Sequence, residues 1–214
     1  IWLAGEGGTV LQWTPTESVV HDLGSANLTG LDASGNDAIT VVSWAGAYRY
    51  DGVEWQFEDM PTKAQPADVF VGADKEWAVG EDGGIILWRS EVWEEQLILD
   101  DFQDEDLHAI HGLSQDDFFV VGSNGTFLHW TDNRWLDLRT MFEEEEDQPL
   151  NVNLWGVWQS PNGTVYAVGS NGMIIQHAPE NDEKARFKVL NTNSDSVLYG
   201  IYGSSDDNIW AVGN

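Results

Sequence analysis

A repeated glycine pattern constrains the fold of this chain more than any other feature of its sequence. Four times, a Gly is followed three residues later by a second Gly and eight residues later by a large ring. The four sets are Gly5/Gly8/Trp13, Gly80/Gly83/Trp88, Gly122/Gly125/Trp130 and Gly169/Gly172/His177. With Gly46 and Gly213 as further first positions, the spacings are 41, 34, 42, 47 and 44 residues. A period of roughly 40 residues is typical of repeat proteins with about four strands per unit.

Each repeat predicts four strands, which we call inner, anchor, return and outer in chain order. The anchor strand ends at the first Gly and is short and apolar, as in Glu76-Trp77-Ala78-Val79. Turn pairs such as Asn124-Gly125 supply the positive φ angles that a tight hairpin requires, so the return strand pairs antiparallel with the anchor strand. The sequence therefore predicts an all-β fold, a β-propeller of four-stranded antiparallel blades.

The two ends of the chain bear on the expected number of blades. We expect one propeller domain over residues 1–214, truncated at both ends, with blade repeats at roughly 1–27, 28–58, 67–99, 107–138, 154–190 and 198–214. The first repeat supplies three strands, the last supplies two, and four complete blades lie between them. A closed ring of five blades would leave one anchor strand over. We therefore favour a fragment of a ring with six or more blades, and seven in particular, although five fit if a terminal strand is displaced.

One motif links the repeats to a known group of proteins. Residues 198–213 read Leu-x-Gly-Ile-x-Gly-Ser-Ser-Asp-Asp-x-Ile-Trp-Ala-Val-Gly, and the repeat continues as at residues 80–88. This pattern resembles the "WAVG" repeats of secreted bacterial β-propellers, which are similar to the BNR/Asp-box propellers and to photosystem II stability and assembly factor-like propellers. The resemblance implies a propeller of six to eight blades that serves as a recognition or assembly module outside the cytoplasm.

Charge and composition exclude several classes of function. The chain has 37 acidic and 9 basic residues and a formal net charge of −28. Such a field repels phosphate backbones, so we expect no nucleic-acid partner, whereas a protein with a basic surface would be attracted. No apolar stretch is long enough for a membrane span. The absence of Cys excludes disulfides and thiolate metal sites.

The first candidate site lies on the inner strands, nearest the predicted ring axis. Its six side chains are His108, His111, Trp155, Trp158, Tyr199 and Tyr202. Aromatic faces at an axial mouth would suit a sugar ring or a cationic side chain. The alternative is that these rings pack between blades. The two His residues are three positions apart, so on a regular strand they face opposite sides and cannot share a metal ion.

The second candidate site is acidic and lies in the connections between blades. Its residues are Asp100, Asp101, Asp104, Glu105, Asp106, Glu143, Glu144, Glu145, Glu146 and Asp147. Carboxylates gathered at one rim would suit Ca²⁺ or a basic partner protein. However, no Asp-x-Asp-x-Asp-Gly loop specifies a coordination shell, and the alternative is that the runs are solvated negative loops.

No catalytic motif accompanies these candidates. A Ser-His-Asp arrangement, a phosphate-binding Gly loop and His-Glu-x-x-His are all absent, so we assign no catalytic residue, cofactor or metal ligand. We expect a non-enzymatic module of the extracellular space or cell envelope that binds another protein or organises an assembly. The alternative is a carbohydrate-binding propeller that uses Trp155, Trp158, Tyr199 and Tyr202. A third interpretation is a glycosidase-type hydrolase with carboxylates at the rim.

Overall fold

The computed structural model describes residues 1–35, 37–60, 65–96, 100–178, 186–190 and 192–214. Its residues group into two compact units, Ile1–Ile98 (unit 1) and Leu99–Asn214 (unit 2). Both units are built from short antiparallel β-strands. None of the helices in the described ranges has the length and apolarity needed to cross a bilayer.

Unit 1 contains three antiparallel sheets. A three-stranded sheet has the order β1-β2-β3, and two four-stranded sheets have the orders β4-β5-β6-β7 and β8-β9-β10-β11. The strands are β1 (Trp2–Ala4), β2 (Thr9–Trp13), β3 (Ser18–Asp22), β4 (Leu28–Ala33), β5 (Ile39–Ser43), β6 (Gly46–Tyr50), β7 (Trp55–Glu58), β8 (Pro66–Val71), β9 (Glu76–Gly80), β10 (Ile85–Arg89) and β11 (Val92–Gln96).

Unit 2 contains two four-stranded sheets, β12-β13-β14-β15 and β16-β17-β18-β19, and the pair β20-β21. A helix, α1, lies between β15 and β16. The elements are β12 (Leu107–Ser114), β13 (Asp117–Gly122), β14 (Phe127–Thr131), β15 (Arg134–Asp137), α1 (Leu138–Glu146), β16 (Leu154–Gln159), β17 (Val165–Gly169), β18 (Ile174–His177), β19 (Phe187–Leu190), β20 (Leu198–Ser205) and β21 (Asn208–Gly213).

The strand order within the sheets confirms the predicted fold class. Each four-stranded sheet runs inner, anchor, return and outer, and every pair is antiparallel. The inner strands of successive sheets contact each other, β4 with β8 in unit 1 and β12 with β16 in unit 2. Apolar side chains of facing sheets fill the space between them, as Val42 and Ala47 pack with Val69 in unit 1. The protein is therefore all-β, with the four-stranded antiparallel blades of a propeller.

Two close backbone approaches explain the glycines of the repeats in unit 2. A Cβ added at the first Gly would lie 2.1 Å from the carbonyl oxygen of Asp106 at Gly122, and 2.2 Å from that of Asn153 at Gly169. Each of these carbonyls directly precedes the inner strand of the same sheet. The second Gly has a positive φ, +73° at Gly125, and its N–H donates to Val152 in the connection to the next sheet. A side chain at either Gly would therefore push away the segment of backbone that it faces.

The prediction that Gly46 is a first-position Gly is wrong. Strand pairing places Ser43 opposite Leu28, as Gly122 lies opposite Leu107, so Ser43 holds the anchor position. Gly46 instead begins the return strand β6 and pairs with Ser43. The cause is a hairpin with two residues, Trp44 and Ala45, between its strands, where other repeats have a longer turn.

The acidic run at residues 143–147 is helical over most of its length, and its interpretation as a loop was wrong. Helix α1 begins after Asp137, whose carboxylate accepts a hydrogen bond from the backbone N–H of Thr140. Leu138 and Phe142, four positions apart, are buried on one face of this helix. Glu143–Glu146 therefore occupy the last turn, and Asp147 follows in the left-handed conformation that often ends a helix.

Candidate functional site

The inner strands carry a β-bulge that changes the direction of the predicted site residues. In β12 the pairing with β13 shifts between Leu107 and Ala109, which leaves His108 unpaired. Because a bulge resets the alternation of side chains, His108 and His111 both reach the next inner strand, β16. The prediction that these two side chains face opposite sides is therefore wrong.

Both His side chains bind backbone groups of β16. His108 Nδ1 lies 2.8 Å from the carbonyl oxygen of Leu154, and its ring stacks on Trp155 at 4.1 Å. His111 Nδ1 accepts a hydrogen bond of 3.1 Å from the N–H of Gln159. Each His thus uses one ring nitrogen to join two neighbouring sheets of unit 2.

Unit 1 has the same two contacts with different side chains. Thr29, at the bulge of β4, donates its hydroxyl to the carbonyl oxygen of Pro66 at 2.6 Å. Asp32 accepts a hydrogen bond of 2.7 Å from the N–H of Val71. These positions match His108 and His111 in strand register, since Leu28 and Leu107 begin equivalent strands. Side chains here therefore connect adjacent inner strands in both units.

Burial shifts the pKa of the two side chains that accept these backbone N–H groups. It lowers the pKa of His111 to about 4, so the imidazole is neutral and can accept the hydrogen bond from Gln159 N–H. Burial also raises the pKa of Asp32, although hydrogen bonds from the backbone of Val71 and Ala33 act in the opposite direction.

The four aromatic candidates differ in exposure. Trp158 is 3% exposed and packs against Gly203, where an added Cβ would lie 2.5 Å from the indole ring. Trp155 contacts His108 on one side and Tyr199 at 5.8 Å between ring centroids. Tyr199 and Tyr202 are 50% and 68% exposed. The two tyrosines therefore offer accessible rings, whereas Trp158 does not.

The first acidic run lies against the start of α1, the helix whose last turn carries most of the second run. Asp100–Phe102 forms a short 3-10 turn, and the guanidinium of Arg139 in α1 lies 4.4 Å from the centre of the Phe102 ring. A third segment, the Ser123–Gly125 turn, meets both, since Arg139 donates to the carbonyl of Asn124 and the amide of Asn124 donates to Glu105. We call this region the acidic end of unit 2.

Several carboxylates at the acidic end have structural partners. Glu105 accepts hydrogen bonds from Ser123 and Asn124, Glu143 accepts one from the N–H of Leu150, and Glu145 accepts one from the N–H of Phe187. The exposed carboxylates of the predicted set are Asp101, Asp104, Asp106, Glu144, Glu145 and Asp147, and Glu146 is half-buried. The side chain of Asp100 lies outside the described part of the chain.

No metal centre is evident in the residues that the structure describes. Groups of three or more His, Asp or Glu side chains close enough to hold a metal ion are absent from those ranges. The binding of Ca²⁺ at the acidic end stays a prediction.

A cavity of about 300 Å³ lies between the two four-stranded sheets of unit 2. We call it the unit-2 cavity. Its walls come from β13, β14, β15, α1, the end of β16, the turn before β17 and the end of β18. The lining residues are Asp117, Phe119, His129, Thr131, Asp132, Arg134, Leu136, Leu138, Met141, Gln159, Gly163, His177 and Arg186.

Two His residues in this cavity have different surroundings. His129 Nε2 lies 2.5 Å from the carboxylate of Asp117, and its ring stacks on Phe119 at 4.0 Å. His177 is 7% exposed, stacks on Phe187 at 4.6 Å, and has no hydrogen-bond partner for Nδ1 in the described ranges. Burial, followed by the charges of the neighbouring His129 and Arg186, lowers the pKa of His177 to about 4, although a hydrogen bond with the backbone of Arg186 acts in the opposite direction. His177 is therefore neutral near pH 7.

Unit 1 has a cavity of about 280 Å³ at the equivalent place, between the sheets β4–β7 and β8–β11. Arg49 and Glu76 line it and form an ion pair of 2.7 Å, and the hydroxyl of Thr40 donates to the second oxygen of Glu76. Strand register aligns Arg49 with His129 and Glu76 with Val165. The unit-2 cavity thus has no carboxylate where unit 1 has Glu76.

The unit-2 cavity does not follow from the repeat pattern of the sequence. His177 was noted as a ring of the Gly repeat, and His129 was not singled out. A usable signal was present, since His177 occupies a column that otherwise contains Trp13, Tyr50, Trp88 and Trp130. A polar ring in an apolar column indicates a different environment.

The comparisons with known proteins show the fold. No protein-family model matches the chain, and no curated protein gives a significant match. A solved structure described as YCF48 bound to D1 peptide has a TM-score of 0.69 and 14% identity, over 99% of this chain and 70% of that chain. The WD40 β-propeller domain of Doa1 has a TM-score of 0.69 and 12% identity, over 100% of this chain and 71% of that one.

A third similar structure is an extracellular domain of BT4673 from B. thetaiotaomicron, described as part of a putative one component system. It has a TM-score of 0.66 and 10% identity, over 99% of this chain and 31% of that chain. At these identities the likeness establishes the propeller fold and transfers no ligand or activity.

Proposed function

We propose that this protein is a non-enzymatic, extracytoplasmic β-propeller that binds a partner protein or organises an assembly. The partner would have a basic surface and would contact the acidic end of unit 2. The observation that carries the proposal is the contact of the 100–106 segment and of the start of α1 with the Ser123–Gly125 turn, with Asp101, Asp104, Glu144 and Asp147 exposed.

The comparisons support this proposal at the level of function class. One similar propeller is described as bound to a peptide, and another as an extracellular domain. Propellers present loops from several blades on one face, which suits recognition of proteins. The partner and the compartment of this protein are part of the proposal, because the low identities transfer the fold alone.

Electrostatics gives the proposed contact its physical basis. The net charge of −28 attracts a basic partner over long range and accelerates its encounter. Exposed carboxylates at an interface rim contribute about 0.2–1 kcal/mol each. Three of them would therefore change affinity by about tenfold, and this contribution would weaken as salt screens it.

The test compares two variants with equal net charge. One variant, D101N/D104N/E144Q, removes three exposed carboxylates of the acidic end. The control, D116N/D132N/D207N, removes three exposed carboxylates from turns elsewhere in unit 2. Binding of a blocked lysine-rich peptide, acetyl-(Lys-Ala-Ser)₄-amide, is measured by calorimetry at about 50 and about 200 mM NaCl.

We expect the first variant to bind about tenfold more weakly than the unmodified protein, and the control to differ by less than about twofold. Equal weakening in both variants would mean that net charge governs binding, and would contradict a docking surface at the acidic end. Affinity that does not depend on salt would contradict it as well.

The proposed compartment has its own test. In intact cells of the source organism, a protease added outside the cytoplasmic membrane is expected to cleave the protein. Protection that persists until the cytoplasmic membrane is permeabilised would contradict an extracytoplasmic location.

The carbohydrate-binding alternative has less support in the geometry. A sugar ring stacks on an exposed aromatic face. Trp158 is 3% exposed, and Trp155 has His108 stacked on its ring. Tyr199 and Tyr202 keep accessible rings, so this alternative would depend on them.

A further inference from the structure

The unit-2 cavity contains two polar side chains that are more than nine-tenths buried. Gln159 is 5% exposed and His177 is 7% exposed. Buried polar atoms in native proteins nearly always have a hydrogen-bond partner, which is often a ligand or a water molecule. Among the described residues, His177 Nδ1 has none. The side-chain oxygen of Gln159 accepts the N–H of Leu113, which leaves its amide nitrogen to donate to another group.

Two Arg residues, both exposed, also line this cavity. Arg134 lies at the start of β15, and Arg186 directly precedes β19. Neither has an ion-pair partner within the described ranges. The two acidic residues of the lining are Asp117, which is engaged by His129, and Asp132, which is exposed. The lining thus contains two Asp and two Arg residues, in a protein whose net charge is −28.

The remaining walls are apolar. Phe119, Leu136, Leu138 and Met141 come from β13, β15 and α1 and form this part of the lining. A cavity with an apolar body and a few converging polar groups is the usual form of a small-molecule site. A volume of about 300 Å³ limits the occupant to a small molecule or to one side chain.

Unit 1 shows which chemical groups occupy the equivalent cavity. In its equivalent cavity the carboxylate of Glu76 accepts hydrogen bonds from Arg49 and Thr40. In unit 2 the corresponding residue is Val165, so the chain supplies no carboxylate from that position. Guanidinium groups bind carboxylates with paired, charge-assisted hydrogen bonds.

We propose that the unit-2 cavity binds a small organic carboxylate, with Arg134 and Arg186 holding the carboxylate and the apolar walls holding its body. Gln159 and His177 would complete the site by hydrogen bonds to the bound molecule. This proposal is independent of the partner surface at the acidic end.

The carboxylate could belong to a free acid or to an acidic side chain of a bound protein. Two probes separate these sources. Sodium benzoate represents a free acid, and acetyl-Ala-Glu-Ala-amide presents a Glu side chain. Their matched uncharged controls are benzamide and acetyl-Ala-Gln-Ala-amide, and added NaCl keeps the ionic strength constant.

Binding is followed by NMR, through the imidazole resonances of His129 and His177. At least one carboxylate probe is expected to shift both resonances saturably, with a Kd of about 1 mM. Arg134→Gln and Arg186→Gln should each weaken binding about five- to tenfold, because each removes a charge-assisted hydrogen bond. The control Arg89→Gln removes the same charge from an exposed ion pair with Glu94 and should not weaken binding.

Each outcome decides the proposal. Binding of benzoate alone identifies a free acid as the ligand class, and binding of the Glu peptide alone identifies a side chain of a partner protein. Binding of both supports a site that recognises the carboxylate itself. Absence of saturable shifts, equal binding of the uncharged controls, or unchanged affinity in both Arg variants would overturn the proposal.

Discussion

Glu76 is a buried charge in a column of apolar residues. It is 4% exposed, whereas the equivalent positions hold Ile39, Phe118 and Val165. The guanidinium of Arg49 binds it through two nitrogens, at 3.0 and 2.7 Å, and also lies 3.5 Å from the centre of the Trp88 ring. An ion pair of this kind contributes little net stability, but losing one partner leaves the other poorly solvated.

Replacing Glu76 with Ala is therefore expected to lower the free energy of unfolding by about 3 kcal/mol. Glu58, 3.5 Å from Arg49, limits the loss because it remains as a second partner. The control is Glu94→Ala, which breaks the exposed pair with Arg89 and should cost less than about 1 kcal/mol. Urea denaturation measures both. Equal losses would mean that burial of Glu76 has no energetic consequence.

The buried His residues make stability depend on pH. The pKa of His111 and of His177 is lowered to about 4 in the folded protein, from 6.5. The unfolded chain therefore binds more protons than the folded one between these values, and stability falls as the pH drops from about 6.5 to about 4. Each His is expected to contribute on the order of 2–3 kcal/mol.

NMR titration checks this expectation directly. The imidazole resonances of His111 and His177 should not titrate between about pH 7 and about pH 5, and the free energy of unfolding should fall over the same range. A midpoint near pH 6.5 for either residue would contradict the effect of burial.

At the scale of elements, the hairpins after β1, β13 and β17 are fixed by backbone contacts with the next connection. The N–H groups of Gly8, Gly125 and Gly172 donate to Ala26, Val152 and Ser196, at 2.6, 2.7 and 2.7 Å. Each acceptor lies two residues before an inner strand. The same contact therefore links a sheet to its successor in both units.

Gly125→Ala is expected to destabilise the protein by about 3 kcal/mol. Its φ of +73° is unfavourable for Ala, and the new Cβ would lie 1.8 Å from the carbonyl oxygen of Leu150. Gly5→Ala is the control, because Gly5 has no neighbouring atom within 4 Å of an added Cβ. Thermal unfolding distinguishes the two. A Gly125→Ala protein as stable as Gly5→Ala would contradict the close approach.

The strands could be predicted because residue types within a few positions specify the turns between them. Asn124-Gly125 predicts a hairpin by itself, and the structure gives these residues positive φ angles of 49° and 73°. Helix α1 was missed although its signals were present, namely the capping Asp137 and the buried Leu138 and Phe142. The acidic residues that follow favoured a loop over a helix, because four Glu side chains at a helix C-terminus oppose the helix dipole.

The candidate site was less predictable, because it depends on pairing between distant segments. The bulge at His108 depends on the register of β12 with β13. The unit-2 cavity brings together Arg134, Gln159 and His177 from three strands. The spacing of these residues along the sequence does not predict that they come together. Blade ranges and the accessibility of the predicted site to a ligand stay predictions.

For the whole molecule, charge is the property with the widest effect. A net charge of −28 on 214 residues causes repulsion among carboxylates that the folded state concentrates. Salt screens this repulsion over a Debye length of about 10 Å at about 0.1 M. We expect the Tm to rise by about 3–6 °C between about 10 and about 300 mM NaCl.

Differential scanning calorimetry in NaCl provides the measurement, and a series in sucrose controls for general stabilisation by cosolvent. A Tm that falls with added NaCl would show that attractive ion pairs, such as Arg49 with Glu76, outweigh the repulsion.

The side-chain bonds between successive inner strands, made by Thr29 and Asp32 in unit 1 and by His108 and His111 in unit 2, have a kinetic consequence. Within a unit, each sheet gains protection mainly from its immediate neighbour, as in a one-dimensional array. Opening of one sheet would therefore loosen the adjacent one first, and amide hydrogen exchange would spread stepwise along the array instead of appearing everywhere at once.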